Sequence, residues 1–316
     1  MTLAEGWRPG RRLLVTMPAS HPFRFGITAA QAVSAEGWKA TARQAEAAGY
    51  STLLIADWIG PLLSPMPALA VAGASTDRLH VGTWVLANDF RNPVLVAREA
   101  ATLDLLTEGR FELGLGAGRT DNGYTSLGIQ PESGGVRVRR LAESVHVIKT
   151  LLRGETATVN GEHYTVAAAP VYPPVRHQVP ILLAAGGRKS IELAGREADI
   201  VAVGGAWSAD VLSEQLGWMR AAAGERFPEI ELGMRFWVLP EGDARAWQAA
   251  AAIMKSFGTD PEALIAAGAP SVLTGSPAAM VEQLEARREA FGLSYVVVDG
   301  VSVDAFAPVV AGLAGR

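Results

Sequence analysis

The sequence predicts a (β/α)8 barrel, in which eight parallel strands form a ring and helices surround it. Short apolar and β-branched runs alternate with longer amphipathic runs from residue 23 to residue 313. Eight such short runs occur, and a strand–helix alternation of this kind produces parallel strands. The chain has 316 residues, 49% of them hydrophobic, which is enough for one barrel. An open, doubly wound sheet is the alternative that this spacing leaves open.

The elements follow from local signals along the chain. We predict strands at 23–29, 51–56, 80–88, 111–116, 180–184, 199–203, 232–239 and 295–299. We predict helices at 35–48, 65–74, 93–107, 137–152, 189–194, 209–226, 244–257, 261–267, 277–291 and 303–313. The first helix has Trp38, Ala42 and Ala45 near helical spacing, and Gly49 ends it.

Two further local signals support this order of elements. Pro93 suits the first turn of a helix, where its missing N–H costs nothing, and Gly109 follows that helix where positive φ is tolerated. Residues 156–166 are expected to form a small hairpin that turns at Asn160-Gly161.

We expect residues 1–316 to form one barrel domain, with a flexible leader at residues 1–20. Three long segments, at 121–137, 156–180 and 258–294, are interpreted as insertions in that barrel because no linker or repeat divides the chain. The first of them contains a glycine pair and is a candidate lid.

The composition excludes several classes of function. With 28 basic and 32 acidic side chains the formal net charge is −4, whereas a nucleic-acid binder needs a basic face. No cysteine is present, and the five histidines never pair at metal-ligand spacing, so no metal site is expected. No apolar run reaches about 18 residues, the length that spans a membrane. We therefore expect a cytoplasmic protein without a membrane or nucleic-acid partner.

The candidate site lies where the strands end, because the C-terminal ends of barrel strands form one mouth. Two of these ends are rich in glycine, at 114–118 and at 184–187. Glycine lets a phosphate or a flat ring approach the backbone, although relief of crowding between strands is the alternative. The second cluster precedes a helix whose first N–H groups would face an anion. Trp58 and Trp84 add aromatic surface that suits a planar cofactor, with core packing as the alternative.

Residues 91–118 resemble the signature of a known family. The matching segments are Arg91-Asn92-Pro93, Ala97, Ala101-Thr102-Leu103-Asp104-Leu105-Leu106 and Gly109-Arg110-Phe111-Glu112-Leu113-Gly114-Leu115-Gly116-Ala117-Gly118. They are similar to the signature of the bacterial luciferase-like monooxygenase superfamily, whose members are (β/α)8 barrels that bind FMN or the deazaflavin coenzyme F420. The run 180–187 ends in a glycine pair and resembles the F420-dependent branch, in particular an actinobacterial group of probable oxidoreductases.

The resemblance implies roles for particular residues. Asp57 matches a strand-end acid close to the deazaflavin ring, and Trp84-Val85 matches a non-prolyl cis peptide that backs this ring. Asn122 matches a position that contacts the cofactor. The loop implied at the cofactor's phosphate consists of Ala185, Gly186 and Gly187, and Arg188 could add positive charge beside it.

Two positions depart from the pattern of the sugar-phosphate-oxidising members. Those members have histidine after the acid and glutamate after the Gly-x-Gly of the fourth strand, where this chain has Trp58 and Arg119. Both proposed acid/base groups are therefore missing, which argues against glucose-6-phosphate oxidation. Arg119 is expected to face an anionic substrate group or developing negative charge, with a loop salt bridge as the alternative. Tyr124 and Asp89 are the candidate proton donors.

The catalytic candidates are thus Asp57, Trp58, Arg119 and Tyr124. The resemblance implies an F420-dependent oxidoreductase that moves a hydride between the deazaflavin C5 and a small organic substrate. Reduction of an imine or activated alkene is favoured, because no histidine base is evident. The alternatives are an FMN-dependent monooxygenase that uses O2 and a separate reductase, and a barrel that only carries flavin. Relatives of this kind imply a homodimer.

Overall fold

The structure is a computed structural model that describes residues 21–29, 34–119, 123–204, 207–256 and 258–316. The expected leader at 1–20 lies outside the described residues. Among the described helices, none combines the length and the apolar character needed to cross a membrane.

Strands and helices alternate along the described chain much as predicted. The strands are β1 (Arg24–Thr28), β2 (Thr52–Ile55), β3 (His80–Thr83), β4 (Leu86–Ala87), β5 (Phe111–Gly116), β6 (Ala157–Asn160), β7 (Thr165–Ala169), β8 (Ile181–Ala185), β9 (Ile200–Val203), β10 (Glu231–Arg235), β11 (Trp237–Pro240), β12 (Val272–Gly275) and β13 (Leu293–Asp299). The helices are α1 (Ala35–Ala47), α2 (Pro65–Gly73), α3 (Pro93–Leu106), α4 (Gly134–Leu152), α5 (Arg188–Glu197), α6 (Ala209–Ala223), α7 (Ala244–Ser256), α8 (Pro261–Ala266), α9 (Pro277–Phe291) and α10 (Val303–Leu313).

Eight of these strands form the predicted barrel. Their order around it is β1, β2, β3, β5, β8, β9, β10 and β13, and β13 pairs with β1 to complete the ring. All of these pairings are parallel, so the C-terminal ends of the strands meet at one mouth. The open, doubly wound alternative is therefore wrong.

Successive side chains of each barrel strand face opposite sides, which creates two cores. Outward residues such as Phe25 and Ile27 pack with the helices in the main core. Inward residues form a smaller cluster that consists of Leu54, Leu182, Ile200, Ala202, Tyr295 and Val297, with Trp84, Val85 and Ala184 packed against it. The interior of the barrel is thus filled below the mouth.

The N-terminal end of the barrel is held by a buried charge network. Arg24 donates to both Glu112 and Glu231, with 2.7 Å between Arg24 Nε and Glu231 Oε1. Its guanidinium also lies 3.6 Å above the ring centre of Tyr295. Burial alone would lower the pKa of Arg24, but Glu112, Tyr295 and Glu231 raise it well above its usual value. We therefore assign the N-terminal end a structural role, because barrels of this kind have their active sites at the C-terminal ends of the strands.

The structure corrects the predicted strand 232–239. This run divides at Phe236 into β10, which stays in the barrel, and β11, which pairs with β12 in a separate two-stranded parallel sheet. β12 lies in the segment 258–294 that was interpreted as an insertion, and it was not predicted. The two strands bury Leu239 and Val272 in a third core with α7 and α8. The apolar run has no break in the sequence, so only the packing shows where it leaves the barrel.

Two predicted boundaries differ from the structure: the turn of the small hairpin and the start of α4. The hairpin of β6 and β7 turns over four residues, 161–164, rather than at Asn160-Gly161, since Asn160 pairs with Thr165. Its loop is held by Glu143 of α4, whose carboxylate accepts N–H groups of residues 162–164. α4 itself begins at Gly134, not at residue 137, because Ser133 caps it by accepting from the N–H of Val136.

Candidate active site

The predicted wall for the cofactor ring consists of Trp84 and Val85, which lie between β3 and β4. The peptide bond between Trp84 and Val85 is cis, as the resemblance implies, and it divides the predicted strand 80–88 in two. The N–H of Trp84 donates to the carbonyl of Ile55 at 2.8 Å. The Trp84 indole is half-buried and meets Tyr295 edge-to-face, with 5.9 Å between ring centres. The indole is thus supported from below, at the mouth end of the barrel.

The glycines at 114–118 are explained by this wall and its neighbours. A Cβ on Gly114 would overlap the carbonyl oxygen of Thr83, and one on Gly116 would lie 2.8 Å from Cγ2 of Val85. Gly118 has a φ of +78°, and a Cβ there would overlap the hydroxyl of Tyr124. Relief of crowding, the alternative weighed for this cluster, therefore accounts for all three glycines.

Asp57 lies after β2 and binds residues in the segment that begins with this wall. Its side chain is buried, with 4% exposed, and accepts a forked pair of hydrogen bonds from Arg91. The same carboxylate accepts the N–H of Ala87 at 3.1 Å, and the Asp57 N–H donates to the carbonyl of Val85 at 3.4 Å. Asp57 and Arg91 together therefore fix the backbone that carries Val85.

Arg91 was missed as a site residue, although it begins the Arg-Asn-Pro segment of the family signature. The signal was present in the sequence, because an arginine that precedes a helix-starting proline near a strand end can reach the mouth. Its partner after β2 could not be read from the sequence, since Asp57 lies 34 positions earlier.

Tyr124 and Asp89, the candidate proton donors, lie together in a buried cluster. The Tyr124 hydroxyl donates to Asp89 at 2.8 Å, and Arg140 of α4 donates to the other oxygen of Asp89 at 3.0 Å. The Tyr124 side chain is 1% exposed. Burial and the hydrogen bond to Asp89 raise the pKa of Tyr124 to about 12. Tyr124 thus ties the loop after β5 to Asp89, which Arg140 of α4 also holds.

The predicted phosphate loop lies at the end of β8. The side chain of Ala185 faces outward into the main core, so only its backbone is available to a ligand. Gly186 approaches the end of β9 closely, and Gly187 is the N-cap of α5. A Cβ on Gly187 would meet nothing within 4 Å, and its φ of −88° suits any residue. This position therefore opens on free space in front of a helix N-terminus.

The remaining predicted residues lie around the mouth with different exposure. Trp58 is 43% exposed, and Arg119 is exposed. Arg188 is also exposed and pairs with Glu192 one turn later, with 2.8 Å between Nε and Oε1. Asn122 lies outside the described residues.

A second charged pair at the mouth was not predicted. Arg235 ends β10 and forms an ion pair with Asp299, which ends β13. Thr28 at the end of β1 donates to the same Asp299 oxygen at 3.1 Å, and Arg235 lies 4.2 Å above the Trp237 ring centre. Asp299 is the last residue of the predicted strand 295–299, and nothing in the sequence joins it to Arg235.

Two other features could hold a ligand but lie away from the mouth. A cavity of about 430 Å³ at the N-terminal end of the barrel is lined by the Arg24 network, and we assign it a structural role. Among the described residues, Glu143, Glu162 and His163 could together ligate a metal ion. They lie at the hairpin loop, where Glu143 already accepts three backbone N–H groups.

Comparison with known proteins identifies the family. The family model described as luciferase-like monooxygenase matches residues 19–293. A curated relative from Microbacterium testaceum, named F420-dependent glucose-6-phosphate dehydrogenase, is 34% identical over 163 residues, which are 49% of this chain and 48% of that protein. The chain thus matches only about half the length of such curated relatives.

Solved structures share the fold at low identity. The coenzyme F420-dependent tetrahydromethanopterin reductase from Methanopyrus kandleri has a TM-score of 0.77 at 19% identity, over 93% of this chain and 99% of its own. A long-chain alkane monooxygenase has a TM-score of 0.75 at 15% identity, over 92% and 91%. An F420-dependent reductase and a monooxygenase thus resemble this chain to a similar degree. These likenesses establish the barrel fold and do not identify the cofactor.

Proposed function

This chain belongs to the luciferase-like monooxygenase family, and from that premise we propose that it is an oxidoreductase that uses coenzyme F420. The observation that carries the proposal is the open glycine loop at the end of β8. Gly187 caps the ten-residue helix α5 with free space around it, as binding of a phosphate group requires. The curated relatives that match this chain are named as F420-dependent enzymes, which supports the same cofactor here.

The residues at the mouth fit a planar cofactor with an anionic tail. The half-buried Trp84 and its neighbour Val85 offer an apolar wall for the ring, and the first N–H groups of α5 offer donors for the phosphate. When bound, F420 supplies a carbon centre, C5, that accepts or donates a hydride. Trp84 and Val85 would give this ring a rigid support, because Asp57 and Arg91 fix the backbone around Val85.

The chain's own residues would position the substrate and exclude water from the mouth. Arg119 and the exposed Trp58 lie where sugar-phosphate-oxidising members have their acid/base groups, so we propose reduction of an imine or activated alkene. The Arg119 guanidinium would then face an anionic substrate group or developing negative charge. Tyr124 would serve as a positioning residue, since its hydroxyl is buried against Asp89 and its pKa is raised to about 12.

Paired titrations of the purified protein test the cofactor. We expect F420 to quench tryptophan fluorescence at much lower concentration than FMN, because Trp58 and Trp84 lie at the mouth. Tighter binding of FMN, together with O2 uptake in the presence of reduced FMN, would instead support the monooxygenase alternative.

A second assay tests the substrate class. Reduced F420 is mixed with a panel of cyclic imines and enones, and oxidised F420 is mixed with glucose 6-phosphate, while the deazaflavin absorbance is followed. We expect turnover with the first panel only. Turnover with glucose 6-phosphate would contradict the argument from Trp58 and Arg119, and would leave the F420 assignment intact.

A further inference from the structure

We infer that Gln215 of α6 is a positioning residue that presents the end of β8 to the phosphate of the cofactor. This inference rests on the proposed function, because it concerns the same glycine loop. It adds a residue to which neither the family signature nor the sequence analysis assigns a role.

The Gln215 side chain ties together the ends of two neighbouring strands. It is 2% exposed, and its Nε2 donates to the carbonyl of Gly186 at 2.8 Å and to the carbonyl of Gly204 at 2.9 Å. These carbonyls follow β8 and β9, which the N–H of Gly204 also joins by donating to Ala185 at 2.8 Å. One amide group thus uses both of its N–H donors on backbone at the mouth.

This arrangement leaves no room for adjustment. A Cβ on Gly186 would lie 2.9 Å from the carbonyl oxygen of Gly204, so the two strand ends touch backbone to backbone. Ser190 adds a second restraint, since its hydroxyl donates to the carbonyl of Gly187 at 2.7 Å and accepts the N–H of Gly186 at 3.3 Å. The glycine loop is therefore held from both sides.

The direction of the Gly186 carbonyl determines where the next N–H points. In a trans peptide the C=O and the following N–H point in opposite directions. Because Gln215 draws the Gly186 carbonyl toward α6, the N–H of Gly187 is directed away from α6. It joins the first N–H groups of α5, which have no intrahelical partners. Gly187 itself faces open space. Gln215 thus orients a set of donors for an anion before the anion arrives.

The side-chain amide of Gln215 is also uncharged, which suits a position close to a phosphate. A carboxylate at 215 would face two carbonyl oxygens and would repel a phosphate nearby, whereas the amide donates without adding charge. A glutamine in the middle of an otherwise apolar buried face is thus explained by the loop that it holds.

The test compares two ligands that differ in the phosphate and in the acidic tail attached to it. F420 carries a phosphate-linked tail, and its fragment FO has the same deazaflavin ring and ribityl chain without the phosphate. Dissociation constants for both are measured by fluorescence with the wild-type protein, with Gln215→Met and with Gln215→Glu. Thermal unfolding and circular dichroism establish that each variant is folded, and either folded variant is sufficient.

The matched control is Gln283→Met on α9. Gln283 also clamps backbone with its side-chain amide, donating to the carbonyl of Thr274 at 2.7 Å, but it acts on the separate sheet of β11 and β12. A loss of affinity that follows from general loosening of the fold would appear in this variant as well.

We expect the Gln215 variants to bind F420 at least about tenfold more weakly and FO as tightly as the wild type, with Gln283→Met unchanged for both ligands. Equal weakening for F420 and FO, or unchanged binding of F420, would overturn the inference. If the wild-type protein prefers FMN, the proposed function fails, and the same comparison with FMN and riboflavin decides the role of Gln215. Binding of none of these ligands would overturn both proposals.

Discussion

The ends of β5 and β8 look alike in the sequence, but in the structure they differ in the space beside their glycines. Both are glycine-rich and both lie at the mouth. At β5 a Cβ on Gly114 or Gly116 would meet Thr83 or Val85, so protein already fills the space that the missing side chains leave. At β8 a Cβ on Gly187 would meet nothing. A glycine cluster therefore indicates a ligand only where the space beside it is open.

The two ends also differ in what holds them. Beside β5, the wall of Trp84 and Val85 is fixed by an ion pair between Arg91 and the buried carboxylate of Asp57. The loop after β8 is fixed by a neutral amide, Gln215. A buried ion pair is costly to break, because removal of one partner leaves a buried charge. Substitutions at the first end should thus affect stability, and those at the second end should affect binding.

The largest effect is expected for Gly114→Ala. The new Cβ would overlap the backbone oxygen of Thr83, which cannot move without loss of the pairing between β3 and β5. We expect a loss of more than about 4 kcal/mol in the free energy of unfolding, or failure to fold, measured by denaturant titration. Gly217→Ala on α6 is the control, because a Cβ there would meet nothing within 4 Å. Equal stability of the two variants would contradict the crowding explanation.

A smaller loss is expected for Arg91→Ala. It leaves the buried Asp57 carboxylate without its forked partner, so we expect about 3 kcal/mol of destabilisation in denaturant titrations. Arg153→Ala removes an exposed ion pair with Glu155 and should cost less than about 1 kcal/mol. If the two variants were equally stable, Asp57 and Arg91 would not hold the wall.

At the other end, Gly187→Ala should change binding without changing stability. The backbone there suits any residue and the Cβ enters free space, so the unfolding free energy should stay within about 0.5 kcal/mol of wild type. The methyl group would occupy the path of the phosphate, and we expect F420 affinity to fall about tenfold, or about 1.4 kcal/mol, in fluorescence titrations. Unchanged affinity would mean that the phosphate lies elsewhere.

The smallest effect is expected for Tyr124→Phe. It removes one hydrogen bond to Asp89, which keeps Arg140, so the loss in unfolding free energy should be about 1 kcal/mol. Tyr50→Phe is the matched control, since this buried tyrosine donates to the carbonyl of Val303. If Tyr124 donated the proton of the reaction, single-turnover hydride transfer would slow by on the order of 10²-fold or more in this variant alone. We expect no such difference.

Much of the fold could be predicted from the sequence, because it depends on local patterns. The start of α3 at Pro93, the positive-φ Gly109 that follows this helix and the apolar runs of the eight strands are properties of neighbouring residues. The predicted strand 232–239 failed where a continuous apolar run changes its partner, with Trp237 opposite Val272 and not in the barrel. Partner choice depends on distant residues, so a single run does not contain it.

The candidate site was predictable only in part. The sequence placed Asp57 and the glycine loop at the mouth, because residues after parallel strands meet there. It could not give Arg91 as the partner of Asp57, or the pair of Arg235 and Asp299, since these contacts join residues far apart in the chain. It also gave Tyr124 as a proton donor without showing that its hydroxyl is buried.

By itself the sequence determined the barrel, the family signature and which residues follow the barrel strands, because periodicity and motif are recorded in adjacent residues. The tertiary structure decided which glycines leave free space and which are filled, since this depends on the side chain that a neighbouring strand contributes. It also decided that Gln215, from a helix outside the barrel, holds the glycine loop. Steric room and hydrogen-bond direction are properties of the assembled chain, and no residue carries them alone.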